Sequence, residues 1–157
     1  MNIVLLFIGK TKESYLVEGI KSYTNRLRHY HSIKLIELPN VKNAKNLSKL
    51  DIIHKEGELI LKNIDSLDHI VLLDIQGKHY NSIDFSKKLQ KWMLSINKRL
   101  VFIIGGAYGF SDSIYNRANE KLSLSNMTFS HQMVRLFFLE QIYRGYTILN
   151  NHPYHNN

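Results

Sequence analysis

Gly105, Gly106 and Gly109 stand between an apolar run and a Ser-Asp pair that can cap a helix. Such a glycine-rich segment lets the backbone approach a ligand closely, because no side chain obstructs it. The spacing matches neither GxGxxG nor GxxxxGK(S/T), and no lysine follows to hold phosphates. The segment therefore disfavours NAD and ATP as ligands, and a tight turn with positive φ is the alternative explanation.

Two further segments have residue types suited to ligand binding. Asp74 closes an apolar run and precedes a Gln-Gly-Lys sequence at 76–78, so its carboxylate can hold a ribose or an amine. An ordinary acidic residue at a strand end is the alternative. Residues 124–129 offer many backbone groups and hydroxyls but few side chains able to act as an acid or base. This composition favours a binding loop over a catalytic one.

The last apolar stretch, residues 130–149, has a helical pattern that is apolar around nearly the whole circumference, which is typical of a buried helix. Charged residues in such a setting must be paired or lie near a surface. Glu140 and Arg144 have the i,i+4 spacing of an ion pair, and His131 and Arg135 fall on the opposite side. A dimer interface explains this pattern; a monomer whose charged groups reach solvent is the alternative.

The C-terminal tail carries His152 and His155 around a Pro-Tyr pair. It lacks the helical HExxH pattern of zinc sites, so no metal is expected. Its aromatic and imidazole rings can stack on a base that has been flipped out of a nucleic-acid helix. A frayed terminus is the alternative.

Apolar runs alternate with amphipathic segments along the chain. Strands are predicted at 3–8, 33–38, 69–75, 100–104 and 122–127. Helices are predicted at 12–29, 48–63, 82–96, 112–120 and 130–149. Ser82 or Asp84 is the expected cap of the third helix, Gly77 is expected in a turn, and the lysine-rich residues 40–47 are expected to form a mobile surface loop able to touch RNA.

This alternation predicts the α/β class, with a parallel sheet covered by helices on both faces, in a single domain over residues 1–157. Open sheets of this class bind ligands at the carboxyl ends of their strands. The loops at 74–80, 105–110 and 124–130 should therefore meet at one site.

The composition narrows the partners. The chain has 21 Lys and Arg residues against 13 Asp and Glu, and its net charge of +8 favours a polyanionic partner such as nucleic acid. It contains no cysteine, which excludes disulfides and thiolate chemistry. No signal-peptide pattern and no apolar segment of about 20 residues is present, so a cytoplasmic protein without membrane contact is expected.

Several motifs together resemble the RlmH type of SPOUT methyltransferase, and the similarity runs nearly end to end. The matching stretches are the opening strand to Lys10, residues 55–57, 73–78, 103–109, 122–129, 131–135, 140–144 and 151–155. The resemblance implies a C-terminal trefoil knot, which periodicity cannot reveal. It also implies S-adenosylmethionine as cofactor, and it implies that the following residues surround it: Leu73, Gly105, Leu124, Ser125, Asn126, Met127, Thr128 and Phe129.

The family methylates N3 of a pseudouridine in large-subunit (23S) ribosomal RNA and acts on assembled ribosomes. The resemblance therefore implies a homodimer in which the last helices pack across the two-fold axis and each site is completed by the partner's tail. We expect Arg135 or Arg144 to stabilise the developing anionic base. Tyr154 and His155 of the second subunit, together with His131, are expected to hold the target nucleotide.

His155 is the candidate for removal of the N3 proton, because histidine is the side-chain type that accepts a proton near neutral pH. Three alternatives to this reading are open. They are a SPOUT protein with another target such as transfer RNA, a non-catalytic ribosome-binding factor, and a nucleotide-dependent oxidoreductase, which lacks its fingerprint here.

Overall fold

The structure is a computed structural model that describes residues 1–156. Its elements, in chain order, are β1 (Asn2–Ile8), α1 (Ser14–Leu27), β2 (Ile33–Leu38), a 3-10 turn (Ala44–Asn46), α2 (Lys49–Leu61), β3 (His69–His79), α3 (Ser82–Ser95), β4 (Arg99–Ile104), α4 (Asp112–Arg117), β5 (Glu120–Ser123) and α5 (His131–Leu149). All the predicted strands and helices are present, and the 3-10 turn lies in the expected surface loop.

The strands form one sheet in the order β2-β1-β4-β3-β5. All four pairings are parallel, which confirms the predicted α/β class. β1 and β4 occupy interior positions; Leu5, for example, pairs with Leu35 on one side and Phe102 on the other. Their continuous apolar sequences follow from this position, since strands covered on both faces have no solvent side.

Alternate residues of β1 enter two separate cores. Ile3, Leu5 and Phe7 face the core formed with α1, α3 and α5. The helical members of that core are Ile20, Leu27, Phe85, Leu89, Trp92, Phe138, Leu139, Ile142 and Tyr146. Val4, Leu6 and Ile8 face the opposite core, which includes Ile60 of α2 and Ile114 of α4. Helices therefore cover both faces, as predicted.

Side-chain caps set where four helices begin. Ser48, Ser111 and Ser130 each accept a hydrogen bond from the backbone N–H three residues further on, at the starts of α2, α4 and α5. For α3 the cap is Asn81, which accepts from the backbone N–H of Asp84 at 2.8 Å. The expected cap at Ser82 or Asp84 is wrong, because an asparagine one residue earlier supplies the acceptor.

The predicted turn at Gly77 is also wrong, because β3 continues to His79. The pairing of β3 with β5 shifts between Leu73 and Lys78 and then resumes. A Cβ at Gly77 would lie 2.5 Å from backbone atoms of Leu122, and the φ of Gly77 is not positive. The glycine therefore serves the close approach of two strands rather than a turn.

β5 and α4 end earlier than predicted. The strand pairs with β3 from Glu120 and ends at Ser123, whereas residues 122–127 were expected. The hydroxyl of Ser123 donates to the carbonyl of Ser125 at 3.0 Å, which turns the chain out of the sheet. α4 stops at Arg117 because the side chain of Asn119 already accepts from the backbone N–H of Ile70 at the start of β3, at 2.7 Å. The knot expected from the family resemblance stays a prediction, since strand order does not define how the chain threads a loop.

Gly77→Ala should lower the free energy of unfolding by about 1 to 3 kcal/mol, because the new Cβ meets backbone that must move. The matched control is Gly145→Ala, whose Cβ meets the Leu89 side chain at 3.2 Å and makes ordinary contacts of 3.8 Å with Phe85 and Ser86. The better helix propensity of alanine, about 1 kcal/mol, offsets that contact. Urea unfolding midpoints check the pair; equal stability of the two variants would contradict the close strand approach.

Candidate active site

A cavity of about 460 Å³ opens at the carboxyl ends of β3, β4 and β5. This volume lies in the range of about 300 to 1,000 Å³ that is common for small-molecule sites. Its walls come from residues 73–76, from 104–110 except Tyr108 and from 122–131 except Asn126, with Tyr115 of α4 and Val134 of α5. The three loops predicted to meet at one site do so, although only the first part of 74–80 takes part.

The glycine-rich segment serves both roles that its sequence allows. Gly109 has φ +86°, a conformation that favours glycine, and its N–H donates to the carbonyl of Gly106 at 3.3 Å. Gly105 and Gly106 are half-buried and line the cavity. A Cβ at Gly105 would lie 3.1 Å from the ring of Phe110. The segment is thus a tight turn whose backbone forms one wall of the cavity.

Residues 124–130 form the opposite wall. Ser125 accepts from the backbone N–H of Met127 at 2.9 Å, and Phe129 packs edge-on against Phe137 of α5 with ring centroids 5.0 Å apart. Of the residues expected to surround a cofactor, these line the cavity: Leu73, Gly105, Leu124, Ser125, Met127, Thr128 and Phe129. Asn126 is exposed and is not part of the lining.

Charges in the cavity wall are few. Asp74 is the only carboxylate among the lining residues, and no lysine or arginine lines it. The Tyr115 hydroxyl donates to Asp74 at 2.5 Å, and burial together with this carboxylate raises the pKa of Tyr115 to about 12. Burial and the nearby Arg135 lower the pKa of His131, which is therefore neutral at pH 7. The cavity suits a neutral or cationic ligand and offers no cation for phosphates.

Arg135 lies beside this cavity but is 0% exposed. One nitrogen donates to the Gly9 carbonyl and the Thr11 hydroxyl, both at 2.9 Å, and another donates to the Ile8 carbonyl at 2.7 Å. The guanidinium carbon sits 4.1 Å from the ring centre of Phe7. Burial lowers the pKa of Arg135 to about 10, so the group stays charged at neutral pH. It ties the end of β1 to α5 and has no surface free to contact RNA.

A second polar cluster lies at the other end of α5. Arg144 donates to Glu140 at 2.5 Å, which confirms the predicted i,i+4 pair, and this hydrogen bond raises the pKa of Arg144. The tail folds back onto the pair: Tyr154 donates to Glu140 at 2.9 Å and lies under the Arg144 guanidinium at 4.8 Å, and His155 Nδ1 accepts from Arg144 at 3.3 Å. Residues 154–155 are therefore held in place and not frayed.

The two groups are separated along the helix. Val134 lines the cavity and Arg144 follows ten residues later, a rise of about 15 Å at 1.5 Å per residue. The structure thus brings His131 to the cavity and brings Arg144, Tyr154 and His155 together elsewhere. Within one protomer these two sets do not form a single site.

Sequence reasoning missed Tyr115, whose contact with Asp74 spans 41 positions in the chain. It also missed Tyr23, which shares a hydrogen bond with Tyr154 at 3.0 Å. No local pattern marks either tyrosine, because both contacts depend on how distant elements pack.

Among residues 1–156 there is no group of three or more His, Asp or Glu side chains placed to hold a metal ion. No helix in the same part of the chain has the length and apolar character needed to span a bilayer.

Comparison with known protein families identifies the family of this chain. A family model described as "Predicted SPOUT methyltransferase" matches residues 1–155, so the chain belongs to the SPOUT methyltransferase family. Within the family, similar proteins bear the name ribosomal RNA large subunit methyltransferase H. Those of Parabacteroides distasonis and Flavobacterium johnsoniae are each 55% identical over 156 residues, and that of Bacteroides fragilis is 47% identical, with 99% of both chains covered in every case. The resemblance to the RlmH type is thereby confirmed.

A solved structure from Porphyromonas gingivalis, described as belonging to the TrmH family of RNA methyltransferases, overlaps with a TM-score of 0.42 at 10% identity. The overlap covers 89% of this chain and 58% of that chain, and it adds nothing to the assignment.

Arg135→Ala should lower the free energy of unfolding by about 3 kcal/mol or more, because it leaves a cavity and three acceptors without a donor. Arg144→Ala, at a side chain that is 25% exposed, should cost only about 1 kcal/mol. Denaturant unfolding of both variants tests this difference. A stable Arg135→Ala protein would show that the buried guanidinium does not hold β1 to α5.

Proposed function

We propose that this chain transfers a methyl group from S-adenosylmethionine to N3 of a pseudouridine in large-subunit (23S) ribosomal RNA, acting on assembled ribosomes in the cytoplasm. Membership of the SPOUT methyltransferase family and the names of the relatives support the reaction and the target. The net charge of +8 is suited to an RNA partner. The observation that carries the proposal is the cavity at the carboxyl ends of β3, β4 and β5, walled by backbone and free of cations.

The residues of the cavity fit the cofactor. When bound, S-adenosylmethionine supplies an electrophilic methyl carbon on a positively charged sulfur. A wall without lysine or arginine does not repel that charge, and Asp74 attracts it. The proposed holding residues are those that line the cavity: Leu73, Gly105, Leu124, Ser125, Met127, Thr128 and Phe129. Asn126 lies outside the lining, so we propose no side-chain contact for it.

The acceptor nitrogen must lose its proton before it attacks, and the base then carries negative charge. The cluster at the end of α5 has suitable groups for both tasks. Arg144 can neutralise the developing charge while Glu140 fixes its orientation. Tyr154 and His155 can hold the base. Arg144 can only donate hydrogen bonds, so its hydrogen bond with His155 requires an unprotonated Nδ1 on that histidine. That nitrogen becomes available to take the N3 proton once Arg144 turns to the base.

Arg135 is assigned a different part in this proposal. Because its guanidinium is fully buried on backbone carbonyls, it positions α5 and the end of β1 and does not meet the base. His131 remains a proposed substrate contact, since it lies at the cavity mouth and is partly exposed.

The separation of about 15 Å between the cavity and Arg144 supports a homodimer. A second copy can bring its Arg144, Tyr154 and His155 to the cavity of the first, which one chain cannot do. α5 also leaves many apolar side chains only half-buried in the protomer, as an interface helix would. These are Met133, Val134, Leu136, Phe137, Tyr143, Ile148 and Leu149.

Transfer of labelled methyl groups from S-adenosylmethionine tests the function, with ribosomes, separate subunits, free ribosomal RNA and transfer RNA as acceptors. We expect label in ribosomes, at N3 of a pseudouridine of the large subunit.

Arg144→Ala should lower kcat by about 100-fold, since it removes one charge-stabilising donor. The matched control is Lys98→Ala, which removes an exposed charge beside the amino end of β4, away from the cavity. This variant should be fully active.

Label in transfer RNA instead would assign a different substrate to the same site. A protein that binds ribosomes but neither binds the cofactor nor transfers methyl would be a non-catalytic factor and would contradict the proposal.

A further inference from the structure

Glu56 is a carboxylate buried without a cationic partner. It lies in α2 and is 8% exposed, and none of the ion pairs formed within residues 1–156 includes it. Burial of an unpaired carboxylate is costly. Burial accordingly raises the pKa of Glu56, although the nearby polar backbone of Gly106 partly opposes the shift. The mechanism described so far makes no use of this side chain.

The carboxylate packs directly on the glycine-rich segment. The two carboxylate oxygens lie against the α-carbon of Gly106, because a Cβ at Gly106 would be 2.5 and 2.6 Å from them. Gly106 itself lines the cavity. Glu56 therefore stands behind the cavity wall and is separated from the cavity by a single backbone residue.

α2 touches the same segment at two more places. A Cβ at Gly57 would lie 2.4 Å from the hydroxyl oxygen of Ser111, the cap of α4, so helix and cap are in close contact. Lys49, two turns before Glu56 and on the same side of the helix, places its ammonium 5.3 Å from the ring centre of Tyr108. Through these contacts with Gly106, Tyr108 and Ser111, α2 supports the segment 105–111.

We propose that Glu56 is a positioning residue for the methyl-donor site: by packing against the Gly106 backbone, it keeps the Gly105–Gly106 segment in the conformation that binds the donor. The inference rests on the proposed function, since it takes S-adenosylmethionine as the ligand. A peptide with three glycines in five residues has many accessible conformations. A backbone held against a buried side chain has fewer of them before the donor arrives, so binding costs less conformational entropy.

Calorimetry with S-adenosylmethionine tests this role in the full-length protein. Glu56→Ala should raise the donor Kd by about tenfold, while kcat at saturating donor and KM for ribosomes change less than about twofold. Glu56→Gln keeps a side chain of the same size against Gly106 and should stay within about threefold of the unmodified protein. Glu58→Ala is the matched control, because Glu58 lies on the exposed side of α2 and pairs only with His54.

Hydrogen exchange on the donor-free protein supplies a readout that does not depend on activity. The amide of Gly106 should exchange faster in Glu56→Ala than in the unmodified protein, and amides of the distant strand β2 should not change. A general loss of stability would instead speed exchange in both places.

Gly106→Ala approaches the same contact from the other side and serves if Glu56→Ala fails to fold. Its Cβ would meet the carboxylate, so it should also raise the donor Kd. In the double variant the loss should be clearly smaller than the product of the two single losses, because both changes act on one contact. Unchanged donor Kd in Glu56→Ala and Gly106→Ala, or fully multiplicative effects, would overturn the role of Glu56. Absence of donor binding by the unmodified protein would instead overturn the proposed function.

Discussion

The length and continuity of α5 decide which functional residues of one chain can act together. The helix runs without a break for 19 residues and is anchored by its buried face and by the Arg135 guanidinium. Its first turns border the cavity, and its last turns carry Arg144. A continuous helix cannot shorten, so the rise of about 15 Å between Val134 and Arg144 is fixed. For this reason the proposed reaction, which uses both groups, calls for a second copy of the chain.

The elements that sequence predicted well are those defined by local chemistry. Continuous apolar runs marked β1 and β4 because both faces of these strands are covered, and the Ser-Asp pair at 111–112 marked the start of α4. The meeting of the three loops followed from parallel topology, in which all strands end at one edge. The composition of 124–129 predicts a binding loop; its residues other than Asn126 line the cavity, and ligand binding stays a prediction.

The elements that sequence missed depend on contacts between distant residues. Gly77 was predicted in a turn because the sequence does not show that β5 lies against its α-carbon. The role of Arg135 likewise depends on a distant element, since the carbonyl of Ile8 at the end of β1 accepts a hydrogen bond from it. Arg135 and Arg144 were candidate functional residues because they are charged residues in an apolar helix, yet Arg135 is fully buried. Glu56 falls within residues 55–57, which match the family, but no local pattern assigns it a role, because that role depends on the cavity wall packed against it.

A subunit-mixing experiment tests the shared site most directly. Arg144→Ala retains the donor cavity, whereas Gly105→Leu puts a bulky side chain into the cavity wall against Phe110 and retains Arg144, so each variant alone should keep only about 1% of the activity. After equal amounts are unfolded and refolded together, half of the dimers are mixed, and each mixed dimer has one complete site. We predict recovery of about a quarter of the unmodified methyl-transfer activity. Activity no greater than that of the separate variants, in a sample shown to contain mixed dimers, would contradict a site shared between subunits.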